Sequence, residues 1–193
     1  MLIHITRSLL PHLKGQVVSN YLESNCSNGN HTDEQYSDSD LIRRHSQEIN
    51  TPWQWHAHRF PYANSCCVLL CHDDTGFILA LPGVESPDFT CFSDMIRDSI
   101  MGSIEDLGFS PSEARKAVLL SGPVVFDDQS ENRVKEMLSV AWQDLHNLLE
   151  DRPNLLVWNP LRLNELINQR IIKKDGKWCR PDELFSIFIA GLV

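Results

Sequence analysis

The sequence lacks the features that define membrane, secreted and nucleotide-binding proteins. No apolar run in its 193 residues approaches the roughly 20 residues that a membrane span requires. His4 and Arg7 interrupt the apolar start and no basic leader precedes it, so we expect no signal peptide. Neither a G-x-G-x-x-G loop nor a Walker A loop occurs. We therefore expect a cytoplasmic protein with no membrane segment and no cofactor.

Basic residues are few, and they are scattered along the chain. Lysine and arginine number 17 against 26 aspartates and glutamates, which gives a net charge of −9. The pairs Arg43-Arg44 and Lys173-Lys174 are isolated, so no long basic run forms. A net negative chain is repelled by phosphate backbones unless one face concentrates its basic residues. The composition therefore disfavours nucleic acid as a partner.

The six cysteines include no Cys-x-x-Cys pair, which disfavours a zinc ribbon or a thioredoxin-type site. Cys66, Cys67 and Cys71 lie among valines and leucines. A reactive thiolate needs a polar and positively polarised setting, which such neighbours do not supply. We expect these cysteines to act as small core residues of a protein kept in a reducing compartment.

The length fits a single domain over residues 1–193. Residues 19–50 differ in composition from the rest of the chain, because they are rich in Ser, Asn, Asp and Glu. This stretch carries six acidic residues against two arginines and few large apolar side chains. Such a segment cannot bury enough apolar surface to form a core of its own. We predict that 19–50 is a polar, acidic insertion or loop.

Hydrophobic periodicity predicts strands joined by short turns, followed by helices. The strand patterns cover Trp53–Tyr62, Ser65–His72, Phe77–Leu81 and Ala117–Phe126, with a small hairpin at Ile171–Trp178. The run Ser65–His72 is nearly continuous in Cys, Val and Leu, which predicts a central strand. The clearest helical stripe lies in Ser130–Glu150. We predict an α+β fold with a mostly antiparallel sheet and helices packed on one side.

Six short stretches carry a resemblance to known proteins. They are Met1–Leu10, Trp55–His58, Cys67–Asp73, Leu81–Gly83, Ser139–Leu145 and Gly176–Trp178. Together they resemble a family of small bacterial proteins known only as a domain of unknown function. The resemblance covers most of the chain except residues 19–50. It implies a shared fold and a bacterial or mobile-element origin, and it supplies neither a reaction nor catalytic residues.

His56 and His58 form the sharpest candidate site for chemistry. Side chains two apart on a strand point to one face, so both imidazoles could reach one metal ion. His72 and Asp74, at the end of the next predicted strand, could add a third ligand. The alternative is that both histidines are ordinary surface residues on a half-buried strand and that Asp74 is a turn former.

Aromatic residues suggest a recognition surface instead. Trp53 and Trp55 share one face of a predicted strand, and Trp142 lies off the apolar stripe of the long helix. Tryptophan is favoured at protein-binding hot spots, although each ring could instead fill the edge of a core. Arg133, at the helix start, could help to bind an anion together with the first amides of the helix, or it could be a surface residue.

These observations leave two principal hypotheses for the function. The first is a non-enzymatic binding or regulatory protein that acts through a protein partner. By analogy alone, it would be linked to mobile elements as a neutraliser of toxins or defence systems. The alternative is a metal-dependent hydrolase or nuclease that uses His56 and His58. A third hypothesis, single-stranded nucleic-acid binding through tryptophan faces, conflicts with the net charge. The sequence gives no indication of the oligomeric state.

Overall fold

The computed structural model describes residues 1–13, 15–18, 52–62, 65–128, 132–149 and 159–193. The predicted insertion, residues 19–50, lies outside this part of the chain. The strands are β1 (Leu2–Ile5), β2 (Val17–Val18), β3 (Gln54–Tyr62), β4 (Ser65–His72), β5 (Ile78–Pro82), β6 (Val125–Asp127), β7 (Ile172–Lys174) and β8 (Lys177–Cys179). The α-helices are α1 (Phe92–Asp106), α2 (Pro111–Leu120), α3 (Asn132–Leu149), α4 (Pro160–Asn168) and α5 (Pro181–Ala190), and a 3₁₀ helix spans Ser86–Thr90. Among the described residues, no helix combines the length and apolarity needed to cross a bilayer.

Within the described chain, the main sheet has the strand order β2-β6-β1-β3-β4-β5, and β7 and β8 form a separate hairpin. β2, β6, β1 and β3 pair in parallel, whereas β3, β4 and β5 pair antiparallel. The α+β class is therefore confirmed. The prediction of a mostly antiparallel sheet is wrong, because the sheet is mixed. Its parallel half is built from very short strands that crossover connections bring together from distant parts of the sequence.

Helices cover both faces of the sheet, so the prediction of helices on one side is wrong. β4 shows the reason, because its side chains alternate between two separate hydrophobic clusters. Cys66, Val68 and Leu70 pack in the cluster that also contains residues of α1, α2 and α5. The other cluster joins the opposite face of β4 to α3 and α4. A strand that is apolar on both faces needs a covering layer on each.

The sequence Ser110-Pro111-Ser112-Glu113 predicts a capping box that opens a short helix, and α2 begins there but extends further than predicted. The Ser110 hydroxyl accepts a hydrogen bond from the Glu113 amide at 3.4 Å, and the Glu113 carboxylate accepts one from the Ser110 amide at 2.8 Å. This reciprocal pair is a capping box, which fixes the first helical turn. The helix then continues to Leu120, so the strand predicted over Ala117–Phe126 is wrong in its first part. Strand structure begins only with β6.

Two asparagines of α4 occupy the outer edge of β5. The Asn168 side chain accepts a hydrogen bond from the Ile78 amide at 2.6 Å and donates one to the Ile78 carbonyl at 2.7 Å. Asn164 accepts a further hydrogen bond from the Ala80 amide at 2.7 Å. Both asparagines are buried. Their amides thus replace the partner strand that an edge strand lacks, and they leave these backbone groups satisfied.

The variant Asn168→Leu is expected to lower the free energy of unfolding by about 2–4 kcal/mol, because each buried polar group left unsatisfied costs about 1–3 kcal/mol. The substitution keeps a similar volume but removes both partners of Ile78. Urea unfolding followed by circular dichroism measures the change. Asn147→Leu, on the exposed face of α3, is the matched control and is expected to shift stability by less than about 0.5 kcal/mol. Equal effects of the two substitutions would contradict the role of Asn168.

Candidate functional site

A row of ionisable side chains crosses four neighbouring strands on the face that α3 and α4 cover. The parallel register pairs His4 of β1 with Asp127 of β6 on one side and with His56 of β3 on the other. Asp73 follows the end of β4 and extends the row beyond His56. Paired positions of neighbouring strands present their side chains on the same face. The topology therefore collects residues that lie far apart in the sequence.

The distances in this row couple its members electrostatically. His4 Nδ1 lies 2.6 Å from Asp127 Oδ1, and the side chains are only 13% and 8% exposed. The imidazole rings of His4 and His56 lie 4.7 Å apart between centroids. His56 Nε2 lies 4.0 Å from Asp73 Oδ1. A carboxylate that accepts from Nδ1 fixes the tautomer of an imidazole and leaves Nε2 for proton transfer. Asp127 and His4 are thus arranged as an oriented acid–base pair.

His56 is held in its neutral form. Burial, assisted by the neighbouring His4, lowers its pKa to about 4, although Asp73 and Asp127 oppose the shift. Within the described residues, His56 Nδ1 is buried and has no hydrogen-bond partner. A neutral imidazole keeps one nitrogen lone pair, which can accept a proton or a metal ion.

His58 shares the face of His56, as the strand periodicity predicts. Its ring packs against Phe60, with 4.5 Å between ring centroids. Burial lowers the pKa of His58, and Lys135 of α3 lowers it further. The two histidines therefore lie side by side beneath the first turns of α3.

His72 lies on the opposite face of the sheet and is fixed by a complete hydrogen-bond chain. Its ring packs against Trp55 at 4.9 Å between centroids. Its Nε2 lies 3.0 Å from the Pro52 carbonyl oxygen, and its Nδ1 lies 3.0 Å from the Thr75 hydroxyl. The carbonyl can only accept, so Nε2 donates and Nδ1 accepts from Thr75. Nδ1 of His72 therefore holds the β4–β5 turn, and Nε2 ties β4 to the residue Pro52 that precedes β3.

The structure does not assemble the predicted set of four metal ligands. His56 and His58 share one face, His72 points to the other, and Asp74 is an exposed residue of the β4–β5 turn. The described ranges contain no group of three or more histidine, cysteine, aspartate or glutamate side chains placed to hold a metal ion. Strand register decides this outcome. Cys71 is the strand partner of His56 and shares its face, so the next residue, His72, points to the opposite face.

The four predicted binding residues do not form one surface. Trp53 and Trp55 are 1% and 0% exposed and pack in the core, so neither ring is available to a partner. Trp142 is half-buried and stacks on Phe60 with 5.0 Å between ring centroids. Arg133 lies in the first turn of α3, and its side chain falls outside the described part of the structure. Burial of both strand tryptophans follows from the helices that cover that face of the sheet.

A different surface presents large apolar side chains. Three such residues are exposed here: Val140 of α3, Ile171 just before β7, and Trp178 of β8. We call these three residues the α3–hairpin surface. Val140 and Ile171 line a cavity of about 680 Å³ between α3 and the β7–β8 hairpin. Lys173 lies between this cavity and Trp178, because it lines the cavity and is the strand partner of Trp178 in the hairpin. The sequence signal for this surface was the Asp-Gly turn next to a lone tryptophan.

The stability of the protein is expected to fall as the pH drops from about 6.5 to about 4. Burial lowers the pKa of His56 to about 4 and also lowers that of His72 to about 4. Both values lie below the unfolded value of about 6.5, so the unfolded chain binds more protons in this window. As the pH falls from 7 to 5, each of these two histidines should therefore lower the free energy of unfolding by about 2 kcal/mol.

Urea unfolding at pH 7 and at pH 5, for the wild type and for His56→Gln, measures this dependence. The variant should lose less stability than the wild type between the two pH values, by about 2 kcal/mol. An identical loss in both proteins would show that His56 is not held neutral by the fold.

A comparison with known proteins identifies a family for this chain. A family model for a domain of unknown function (DUF6933) matches residues 2–184. No curated protein and no solved structure matches the chain. The family description names no activity and no ligand, so it assigns no role to the histidine row or to the α3–hairpin surface. Because the match spans nearly the whole length, the chain belongs to the DUF6933 family of domains of unknown function.

Proposed function

We propose that the protein is a non-enzymatic binding protein that acts through a protein partner, which it contacts with the α3–hairpin surface. The observation that carries this proposal is Trp178, whose side chain is 72% exposed on a small hairpin outside the main sheet. Tryptophan is enriched at the energetic centres of protein interfaces because it buries a large area with few rotatable bonds. An exposed tryptophan on an ordered hairpin is therefore well suited to contact a partner.

The hairpin that presents Trp178 is held firmly against the domain. Asp175 and Gly176 have φ values of 49° and 80°, the left-handed conformations that a tight hairpin turn requires. Lys174 Nζ donates a hydrogen bond to the Asp73 carbonyl at 2.9 Å. Ile172 packs so closely on Gly76 that a side chain there would lie 2.8 Å from Ile172 Cδ1. A preorganised surface loses little conformational entropy on binding, which favours affinity.

Two further apolar residues of the α3–hairpin surface are exposed beside the cavity. Val140 and Ile171 are 59% and 68% exposed, and both line the adjoining cavity. The Lys173 ammonium lies 5.9 Å from the centre of the Trp178 ring, where its charge interacts with the face of the indole. A cluster of exposed large apolar residues bordered by charged groups is typical of a protein interaction site.

The substitution Trp178→Ala is expected to weaken binding of the partner by at least about tenfold, because loss of a tryptophan hot spot costs about 2 kcal/mol or more. Tagged protein captured from its native cells, followed by mass spectrometry, identifies the partner. The affinity of that partner is then measured with the purified proteins by calorimetry.

Leu119→Ala provides the matched control. Leu119 is 71% exposed on α2, and it packs outside the α3–hairpin surface. Its replacement should leave the affinity unchanged. A partner that binds the Trp178→Ala and Leu119→Ala proteins equally well would contradict the proposed surface.

A hydrolase is the second candidate function, and the hydrogen bond between Asp127 and His4 favours it. These residues lie at or next to the carboxyl ends of adjacent parallel strands, a position where open sheets often place their ligands. His4 would act as general base, Asp127 would orient it, and neutral His56 would supply a second nitrogen. Hydrolysis of a general ester or phosphodiester substrate that is lost in both His4→Asn and Asp127→Asn would place this candidate first.

A further inference from the structure

Arg170 lines the cavity between α3 and the β7–β8 hairpin, and two of its donor atoms are unpaired among the described residues. Its Nε and Nη1 atoms are buried and have no hydrogen-bond partner in the described part of the chain. Burial lowers the pKa of Arg170, and the nearby Asp144 opposes that shift. A guanidinium remains charged in proteins regardless. Leaving such donors unpaired is costly, so an anion that pairs with the Arg170 guanidinium would offset part of that cost.

The other two cations of the cavity already have partners. Lys174 Nζ donates to the Asp73 carbonyl at 2.9 Å, and the Lys173 ammonium lies over the Trp178 ring. Only Arg170, among the described cationic residues of the lining, has buried donors without an acceptor. Its planar group carries parallel N–H bonds that match the two oxygens of a carboxylate.

The composition of the cavity limits the charge and the shape of its ligand. Three acidic residues, Glu136, Asp144 and Asp175, balance the three cations of the lining. A multiply charged phosphate or a nucleic acid would be repelled by these carboxylates, whereas a single negative charge at Arg170 is tolerated. Four apolar side chains complete the wall: Met137, Val140, Ile171 and Ile172. The volume of about 680 Å³ lies within the range of small-molecule sites, about 300–1,000 Å³.

We propose that this cavity binds a small monocarboxylate with an apolar chain, whose carboxylate pairs with the Arg170 guanidinium. The chain of the ligand packs on Met137 of α3 and on Ile172 of β7. This site does not depend on the proposed protein partner, because every lining group belongs to this chain. Its ligand would lie beside the α3–hairpin surface, since Val140 and Ile171 contribute to both.

The test uses hexanoate and hexanamide, which share their shape but differ in charge. Isothermal titration calorimetry of the full chain should show hexanoate binding at least about tenfold more tightly than hexanamide, because an ionised acceptor roughly doubles the strength of its hydrogen bonds. Arg170→Met should remove this preference while leaving the weak binding of hexanamide unchanged. Asp144→Asn should tighten hexanoate binding, because it removes a carboxylate that competes for Arg170.

The matched control is Arg162→Met, on the exposed face of α4, the helix that precedes Arg170. Arg162 pairs with Glu165 rather than lining the cavity, so its loss should not alter hexanoate binding. The comparison of the two ligands on the wild type requires no variant, so it decides the matter even if Arg170→Met does not fold. Equal affinities for hexanoate and hexanamide, no binding at millimolar concentration, or displacement of hexanoate by inorganic phosphate would each overturn the proposal.

Discussion

The central strand β4 is buried on both faces, and this constraint shapes the rest of the molecule. Residues 66–71 are almost completely buried, with Cys66, Val68 and Leu70 on one side and Cys67, Leu69 and Cys71 on the other. Burial raises the pKa of the Cys67 thiol well above its usual range, so this thiol serves as a packing group rather than a nucleophile. Because neither face can meet water, the chain must supply a helical layer on each side. Those layers in turn decide which strand side chains remain within reach of a ligand.

One face of the sheet divides into an apolar part and a polar part. Over β4 and β5 the helices α3 and α4 exclude water, whereas over β1 and β6 the same face carries His4 and Asp127. Asp73 connects the polar row to the hairpin, because its carboxylate faces His56 and its carbonyl accepts from Lys174. Displacement of the hairpin would therefore change the electrostatic environment of His56. Asp73 thus contacts both the histidine row and the hairpin that carries part of the α3–hairpin surface.

Local patterns in the sequence predict much of the secondary structure. The capping box at Ser110, the Asp175-Gly176 turn and the apolar run of β4 each depend on neighbours a few residues away, and each is found in the structure. The parallel half of the sheet was missed because β1 and β6 pair across more than 120 residues, and strands of three or four residues leave little periodic signal. The continuous run of β4 already implied two covering layers, so placing the helices on one side was an avoidable error.

Individual site residues were harder to predict, for two physical reasons. His56 and His58 share a face because strand parity is a local property, but their neighbours His4 and Asp127 come from other strands through tertiary register. Arg170 carried no signal at all, since an arginine after a helix is usually solvated. Its proposed role arises because its buried Nε and Nη1 atoms have no acceptor among the described residues, which only the packed structure reveals.

The asparagine pair on α4 matches the residue spacing of the helix to that of strand β5. Four residues of an α-helix advance about 6.0 Å, and two residues of a strand advance about 6.6–6.8 Å, so Asn164 and Asn168 meet Ala80 and Ile78 with a mismatch of less than about 1 Å. A third asparagine, four residues further along the helix, would be displaced from its strand partner by twice this mismatch. Only two such contacts therefore fit well. Sliding the helix by one residue would rotate both amides by about 100° away from the strand. The pairing therefore fixes the axial position of α4 against the sheet edge, and with it the place where the chain leaves the helix at Arg170.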